Sequence, residues 1–133
     1  MENVQAAVSR WLDHWRHHGL GLWAVEEVKS GQFIGRCGFQ YLQDTGETEI
    51  DFILAPSTWG RGYATEAARA ALHYGYCELQ LDEVVAIVHP DNAASRSVIL
   101  KIGMGNEVRA EYFGMDCYRY SLSRSDYQNN RPQ

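Results

Sequence analysis

The chain is poor in cysteine, in proline and in positive charge, and each shortage closes off a class of explanation. Its three cysteines, Cys37, Cys77 and Cys117, stand far apart with no Cys-x-x-Cys pair. That pattern builds neither a disulfide framework nor a cysteine zinc site, and it makes a reducing cytoplasm the expected compartment. Three prolines in 133 residues leave no proline-rich linker, and no repeat or low-complexity run divides the chain. No apolar stretch approaches the ~18 residues of a membrane-spanning helix. The start, Met1-Glu2-Asn3-Val4-Gln5, lacks the basic-then-apolar order of a secretory signal. With 12 basic and 17 acidic residues the formal charge is −5, which argues against a broad nucleic-acid or anionic-membrane surface. A local pocket for an anion remains compatible with it.

What is present fits one globular domain: 45% apolar and 22% charged residues, in a length typical of a single core. The domain is expected over residues 1–122, with 123–133 as a polar tail that frays. Val4, Ala7, Val8, Trp11, Leu12 and Trp15 recur at helical spacing until Gly19. Three extended segments follow, Leu22 to Val25, Phe33 to Leu42 and Glu47 to Leu54, joined by the turn signals Lys29-Ser30-Gly31 and Asp44-Thr45-Gly46. They read as an antiparallel meander. From Gly62 to Leu79 small and apolar residues form one helical stripe. A buried strand at Val84 to Val88, a shorter helix capped by Asp91 or Asn92 and ending at Gly103, and two last strands complete the order. The fold class is mixed α/β, or α+β: a mostly antiparallel sheet with helices packed on its faces.

Chemistry concentrates in Trp59-Gly60-Arg61-Gly62-Tyr63-Ala64-Thr65-Glu66, between a strand and a helix. Two glycines two apart let the backbone turn sharply and approach a ligand closely. At a helix start, such a turn aims unpaired N–H groups and the positive dipole end at one point, an arrangement that binds phosphate. A Walker loop is absent, and Thr65 stands where a dinucleotide fingerprint needs its third glycine. The plain alternative is a tight loop with no ligand. A second stretch, Val88-His89-Pro90-Asp91-Asn92-Ala93-Ala94-Ser95-Arg96-Ser97 with Lys101-Ile102-Gly103-Met104, follows about 28 residues later.

Together, in this order and spacing, the two stretches resemble the GNAT superfamily of N-acetyltransferases, and within it the RimJ/RimL-like branch. The resemblance runs from about Leu22 to Leu122. It implies that Gly60, Arg61, Gly62, Tyr63, Ala64 and Thr65 hold the pyrophosphate of acetyl-CoA. It implies a bulged strand whose backbone at Ile53 and Leu54 pairs with the pantetheine arm, with Asn92 and Ser95 beside the thioester. Acetyl-CoA is then the co-substrate, with no metal, and an amine is the acceptor. Trp59 stands where the family often has Gln or Arg. Members usually begin with a further strand and helix before the helix read at Val4 to His18, so the chain reads as N-terminally shortened. The open β edge and the Trp11/Trp15 face this leaves make a homodimer the expectation. An acyl-CoA-binding or regulatory module without turnover is the alternative function.

Acetyl transfer to an amine calls for a base, an oxyanion stabiliser and a proton source for the thiolate. Glu49 and Asp51 share one face of their strand, with Ile50 and Phe52 on the other. Glu49 matches the carboxylate that many relatives carry there, and either residue is also readable as a solvated strand position. Ser95 is the candidate acid. Asn92 is a pantetheine ligand by resemblance and a helix cap by position. Ile99 occupies the place of the tyrosine acid of many relatives, and Tyr112 and Tyr118 are the aromatic hydroxyls of the last strands. Glu66, in the first helical turn, reads as a dipole partner. His14, His17 and His18 read as a solvated helix face rather than a metal site, and the cysteines as packing residues.

Overall fold

The computed structural model describes residues 14–130. The strands are β1 (Leu22–Glu26), β2 (Phe33–Leu42), β3 (Glu47–Leu54), β4 (Glu83–Val88), β5 (Gly105–Tyr112) and β6 (Met115–Ser123). The helices are α1 (Tyr63–Cys77), α2 (Ala93–Lys101) and α3 (Arg124–Asn130), with a 3₁₀ turn at Pro56–Thr58. The six strands form one sheet in the order β1-β2-β3-β4-β6-β5, antiparallel except between β3 and β4. The expected meander is β1-β2-β3, closed at Gly31 and Gly46, whose amides bond back to Glu27 and Leu42.

Alternation along the strands sends Cys37, Phe39, Ile50, Ala86, Val88 and Tyr120 to one face. There they meet Ala68, Ala71 and Leu72 of α1 and Ile99 of α2 in a single core. Gly75 lets α1 sit close, because a Cβ there would stand 2.7 Å from the Phe39 ring. Each large side chain buried in this way contributes about 1.5–3 kcal/mol. Helices were expected on both faces; among the described residues α1, α2 and α3 all join the core of one face. The helix read at Val4 to His18 lies outside the described residues except for a helical turn at 14–18.

That turn ends at Gly19 and is pinned to the sheet. The Trp15 indole donates to the Leu22 carbonyl (3.0 Å) and its ring meets Trp23 edge-on at 5.0 Å. His14 Nε2 accepts from the Tyr41 amide (3.2 Å), and the His18 ring stacks on Tyr41. These histidines therefore dock on β2 instead of forming a solvated face. No cluster of three metal-ligating side chains occurs among the described residues.

Residues 124–130, expected to fray, form α3. Ser123 Oγ accepts the Asp126 amide (3.1 Å) as an N-cap, and Arg124 bonds back to Gln80 and Asp82. The Tyr127 ring stacks on Tyr76 at 4.7 Å, which gives this short helix an apolar anchor. The Ser-x-x-Asp spacing was the available signal.

Candidate active site

The site begins where β3 leaves β4. β3 pairs with β2 over its whole length without a register shift, so the expected bulge is absent on that side. With β4 it registers only at Glu49 and Val85, and beyond that point the two strands separate. The opening leads into a cavity of about 450 Å³ lined by Phe52, Ile53 and Leu54, the turn at Trp59 and Gly60, the first residues of α1, and the α2 residues Ser95, Ser97, Val98 and Lys101.

At its floor the glycine turn delivers α1. Gly60 and Gly62 hold φ of 81° and 79°, left-handed values that disfavour any side chain. The first bond of the helix is Glu66 N–H to Gly62 O (3.0 Å), and no side chain caps this end. The amides of Tyr63, Ala64 and Thr65 precede that bond, and these three residues line the cavity at the positive end of the helix dipole. A Cβ on Gly62 would meet nothing within 4 Å, so the requirement there is conformational and not steric. Gly62→Val is expected to cost about 1–2 kcal/mol of backbone strain, to turn these amides away, and to weaken acetyl-CoA binding at least tenfold, on the order of 1.4 kcal/mol. Calorimetry on the folded variant reads this, and unchanged affinity refutes it.

Arg61 does not line the cavity. Its guanidinium lies 3.4 Å from Glu27 Oε2, which also accepts from the Tyr63 hydroxyl at 2.9 Å. Trp59 donates its indole N–H to the Leu54 carbonyl (2.9 Å), closing the segment between β3 and the glycine turn and occupying that carbonyl. Asn92 Oδ1 accepts the Ser95 amide (3.0 Å), so Asn92 is the N-cap of α2 while also lining the cavity. Ser95 stands beside it, half-buried. Sequence reasoning passed over Phe52, Thr58, Ala94, Ser97, Val98 and Lys101. For the α2 members a signal existed, since Ala94, Ser97, Val98 and Lys101 follow helical spacing from the cap. Cys37 and Cys117 are buried, with burial pushing the Cys37 thiol up to about 12, whereas Cys77 is exposed on α1.

Glu49 points to the other face of the sheet, in register with Gln40 and Val85. It is only 8% exposed and accepts no hydrogen bond from the described residues. Burial, then the neighbouring charges of Asp51 and Glu47, push its carboxyl up to about 8. Asp51 is also raised by burial, against the pull of Arg36 at 3.9 Å. Thus Glu49 sits at the head of the opening, on the face away from the helices, while Ser95 and Asn92 line the cavity on the helix side.

A parted strand pair, an uncapped helix start behind a Gly-x-Gly turn and a helix across the gap form a cleft suited to an extended ligand with an anionic group. Residues 1–105 match the family described as acetyltransferase (GNAT) domain, and the chain belongs to it. It is similar to YkkB of Bacillus subtilis (strain 168), described as an uncharacterized protein: 43% identical over 89 residues, covering 65% of this chain and 52% of that one. It is also similar to the uncharacterized N-acetyltransferase p20 of Bacillus licheniformis, 30% identical over 106 residues, covering 74% and 60%. The chain thus spans little more than half the length of these relatives. A GNAT-family acetyltransferase structure from Bordetella pertussis superposes with a TM-score of 0.79 at 20% identity, covering 90% of this chain and 75% of that one, a likeness of fold.

Proposed function

We propose that the protein is an N-acetyltransferase of RimJ/RimL-like type, moving acetyl from acetyl-CoA to a primary amine by direct attack in a ternary complex. The observation that carries this reading is that β3 and β4 pair only at Glu49 and Val85, with a cavity lined by the first residues of α1 on one side of the sheet and the carboxyls of Glu47, Glu49 and Asp51 on the other. The amides of Tyr63 to Thr65 suit the pyrophosphate, and the parted β3 edge at Ile53 suits an extended pantetheine arm. The amine arrives as an ammonium ion on the face of Glu47, Glu49 and Asp51. Its proton passes to Glu49, the neutral nitrogen attacks the thioester carbon, the C–N bond forms and the C–S bond breaks. As the amide forms the nitrogen sheds its second proton, which passes through the Ser95 hydroxyl, a group that lines the cavity, to the departing CoA thiolate, while Glu49 releases the first to solvent. The products are the N-acetyl amine and CoA thiol.

Calorimetry with acetyl-CoA, ATP and NAD tests the cavity, and free-thiol release with a polyamine, an aminoglycoside, an amino acid and a peptide with a free N-terminus tests the transfer. Tight acetyl-CoA binding with thiol release for one acceptor supports the reading. Binding without release for all of them makes the protein an acyl-CoA-binding module. Preference for ATP or NAD refutes the cofactor.

The homodimer is proposed on one ground, the outer edge of β1, which pairs with no further strand among the described residues. Trp15 no longer argues for it, since Trp15 packs on Trp23 within the chain. Sedimentation at micromolar concentration is expected to give about twice the 15.1 kDa chain mass, and a species at the chain mass refutes it.

A further inference from the structure

The acidic face holds its carboxylates in two different ways. Glu47, the first residue of β3, has both oxygens engaged. Tyr112, at the end of β5, donates its hydroxyl to Oε1 (2.6 Å), and Arg119 of β6 directs Nε and a terminal nitrogen to Oε2 (2.9 and 2.8 Å). The same guanidinium lies 3.4 Å from Glu83, at the start of β4. Glu47 and Arg119 are each about four-fifths buried, so this is a partly desolvated, forked ion pair rather than a surface contact. Glu49, one strand repeat along, has nothing comparable.

We propose that Arg119 and Tyr112 are positioning residues for the transfer: by holding Glu47 as a paired, fixed anion, they leave Glu49 as the carboxyl that exchanges protons at the opening between β3 and β4. The inference rests on the acetyltransferase reading and adds residues to it from β5 and β6, strands that line no part of the cavity. The physical argument is one of competition. Four carboxylates, Glu47, Glu49 and Asp51 along β3 and Glu83 at the start of β4, lie on this part of the sheet, and like charges so close do not all ionise together. A fork that grips Glu47 on both oxygens holds that carboxyl below its ordinary range, although burial alone would raise it. The charge it retains then acts on Glu49 in the same direction as burial does.

Among the described residues, the charged groups around Glu49 are Glu47 and Asp51 on its own strand and Arg36 on β2, which reaches Asp51 at 3.9 Å. Its cross-strand neighbours, Gln40 on β2 and Val85 on β4, are uncharged. Arg119 therefore acts on Glu49 chiefly by way of Glu47. Removing it exposes the Glu47 charge, strengthens the repulsion and makes Glu49 hold its proton to higher pH. Removing Glu47 weakens the repulsion and lets the proton go earlier. Removing both cancels a positive and a negative charge and restores a midpoint near that of the wild type.

The test follows the Glu49 carboxyl by carbon NMR across pH in the full chain, and in parallel the pH dependence of acetylation with spermidine and with a peptide bearing a free N-terminus. Arg119→Gln is expected to move the Glu49 midpoint up by about half to one pH unit and to lower the rate at pH 7 about three- to tenfold. Glu47→Gln is expected to move the midpoint down, and the double variant Glu47→Gln/Arg119→Gln to return it. Tyr112→Phe, which keeps the ring and the fold, is expected to shift it upward by less. A folded Arg119→Gln protein with an unmoved midpoint overturns the proposal. If Arg119→Gln does not fold, unmoved midpoints in both Tyr112→Phe and Glu47→Gln overturn it. Absence of turnover in the wild type with every acceptor refutes the acetyltransferase reading, and the NMR midpoints still decide the positioning role.

Discussion

Glu49→Gln is expected to lower turnover by roughly 10²–10⁴-fold, the usual contribution of a general base, without changing acetyl-CoA affinity, because the side chain lies on the face opposite the cavity. The wild-type rate should climb with pH as the carboxyl ionises and level off above about 8, where burial and the charges of Asp51 and Glu47 place it. The same group gives the protein a pH-dependent stability of opposite sense. A carboxyl raised from 4.5 to about 8 binds its proton more tightly in the folded chain. Its stabilising contribution is complete below 4.5 and is lost as pH rises through about 8. Glutamine stays neutral throughout, so the variant should match the wild type at pH 4 and exceed it at pH 9 by a few kcal/mol. Thermal unfolding across pH reads the second effect and thiol release the first. Retained activity transfers the base role to Asp51 or to water, and a stability difference flat in pH means that Glu49 is ionised in the folded state.

Gly38→Ala is expected to unfold the β1 edge at a cost of about 3 kcal/mol or more. Gly38 sits mid-sheet, paired with Leu22 on one side and Asp51 on the other. A Cβ there would lie 2.2 Å from the Gly21 carbonyl oxygen and 2.8 Å from the Leu22 Cα, so backbone must move and no rotamer relieves it. Gly105→Ala is the matched control, since its added Cβ meets nothing within 4 Å. Urea titration should separate the two variants clearly. Equal midpoints would mean that β1 does not run along β2 in this register.

The features legible beforehand were those written in local spacing. Alternation marked β1, β2 and β3, helical periodicity marked α1, and Gly60-Arg61-Gly62 announced a turn into a helix, because each depends on backbone preferences within a few residues. Local spacing does not announce the α3 helix although Ser123 and Asp126 carry a cap, since a polar heptamer is marginal without a partner and Tyr127 stacks on Tyr76, 51 positions earlier. The place of Arg61 in the motif predicts a phosphate contact. Its partner, Glu27, belongs to the β1–β2 turn, and no spacing rule connects the two.

By itself the sequence determined the class of fold, the place of the glycine turn, and the pair of faces on β3 that puts Glu49 and Asp51 away from Ile50 and Phe52. These follow from the periods of 2.0 and 3.6, which every residue obeys locally. Only the tertiary structure decided that β3 and β4 meet at Glu49 and Val85 and then part, and that β6 inserts between β4 and β5. It likewise decided that Arg119 and Tyr112 grip Glu47 and leave Glu49 unengaged. Those outcomes hinge on which distant strands end side by side. That is a choice made by the shared core of α1, α2 and the sheet, and burial and charge at Glu49 take their values from it.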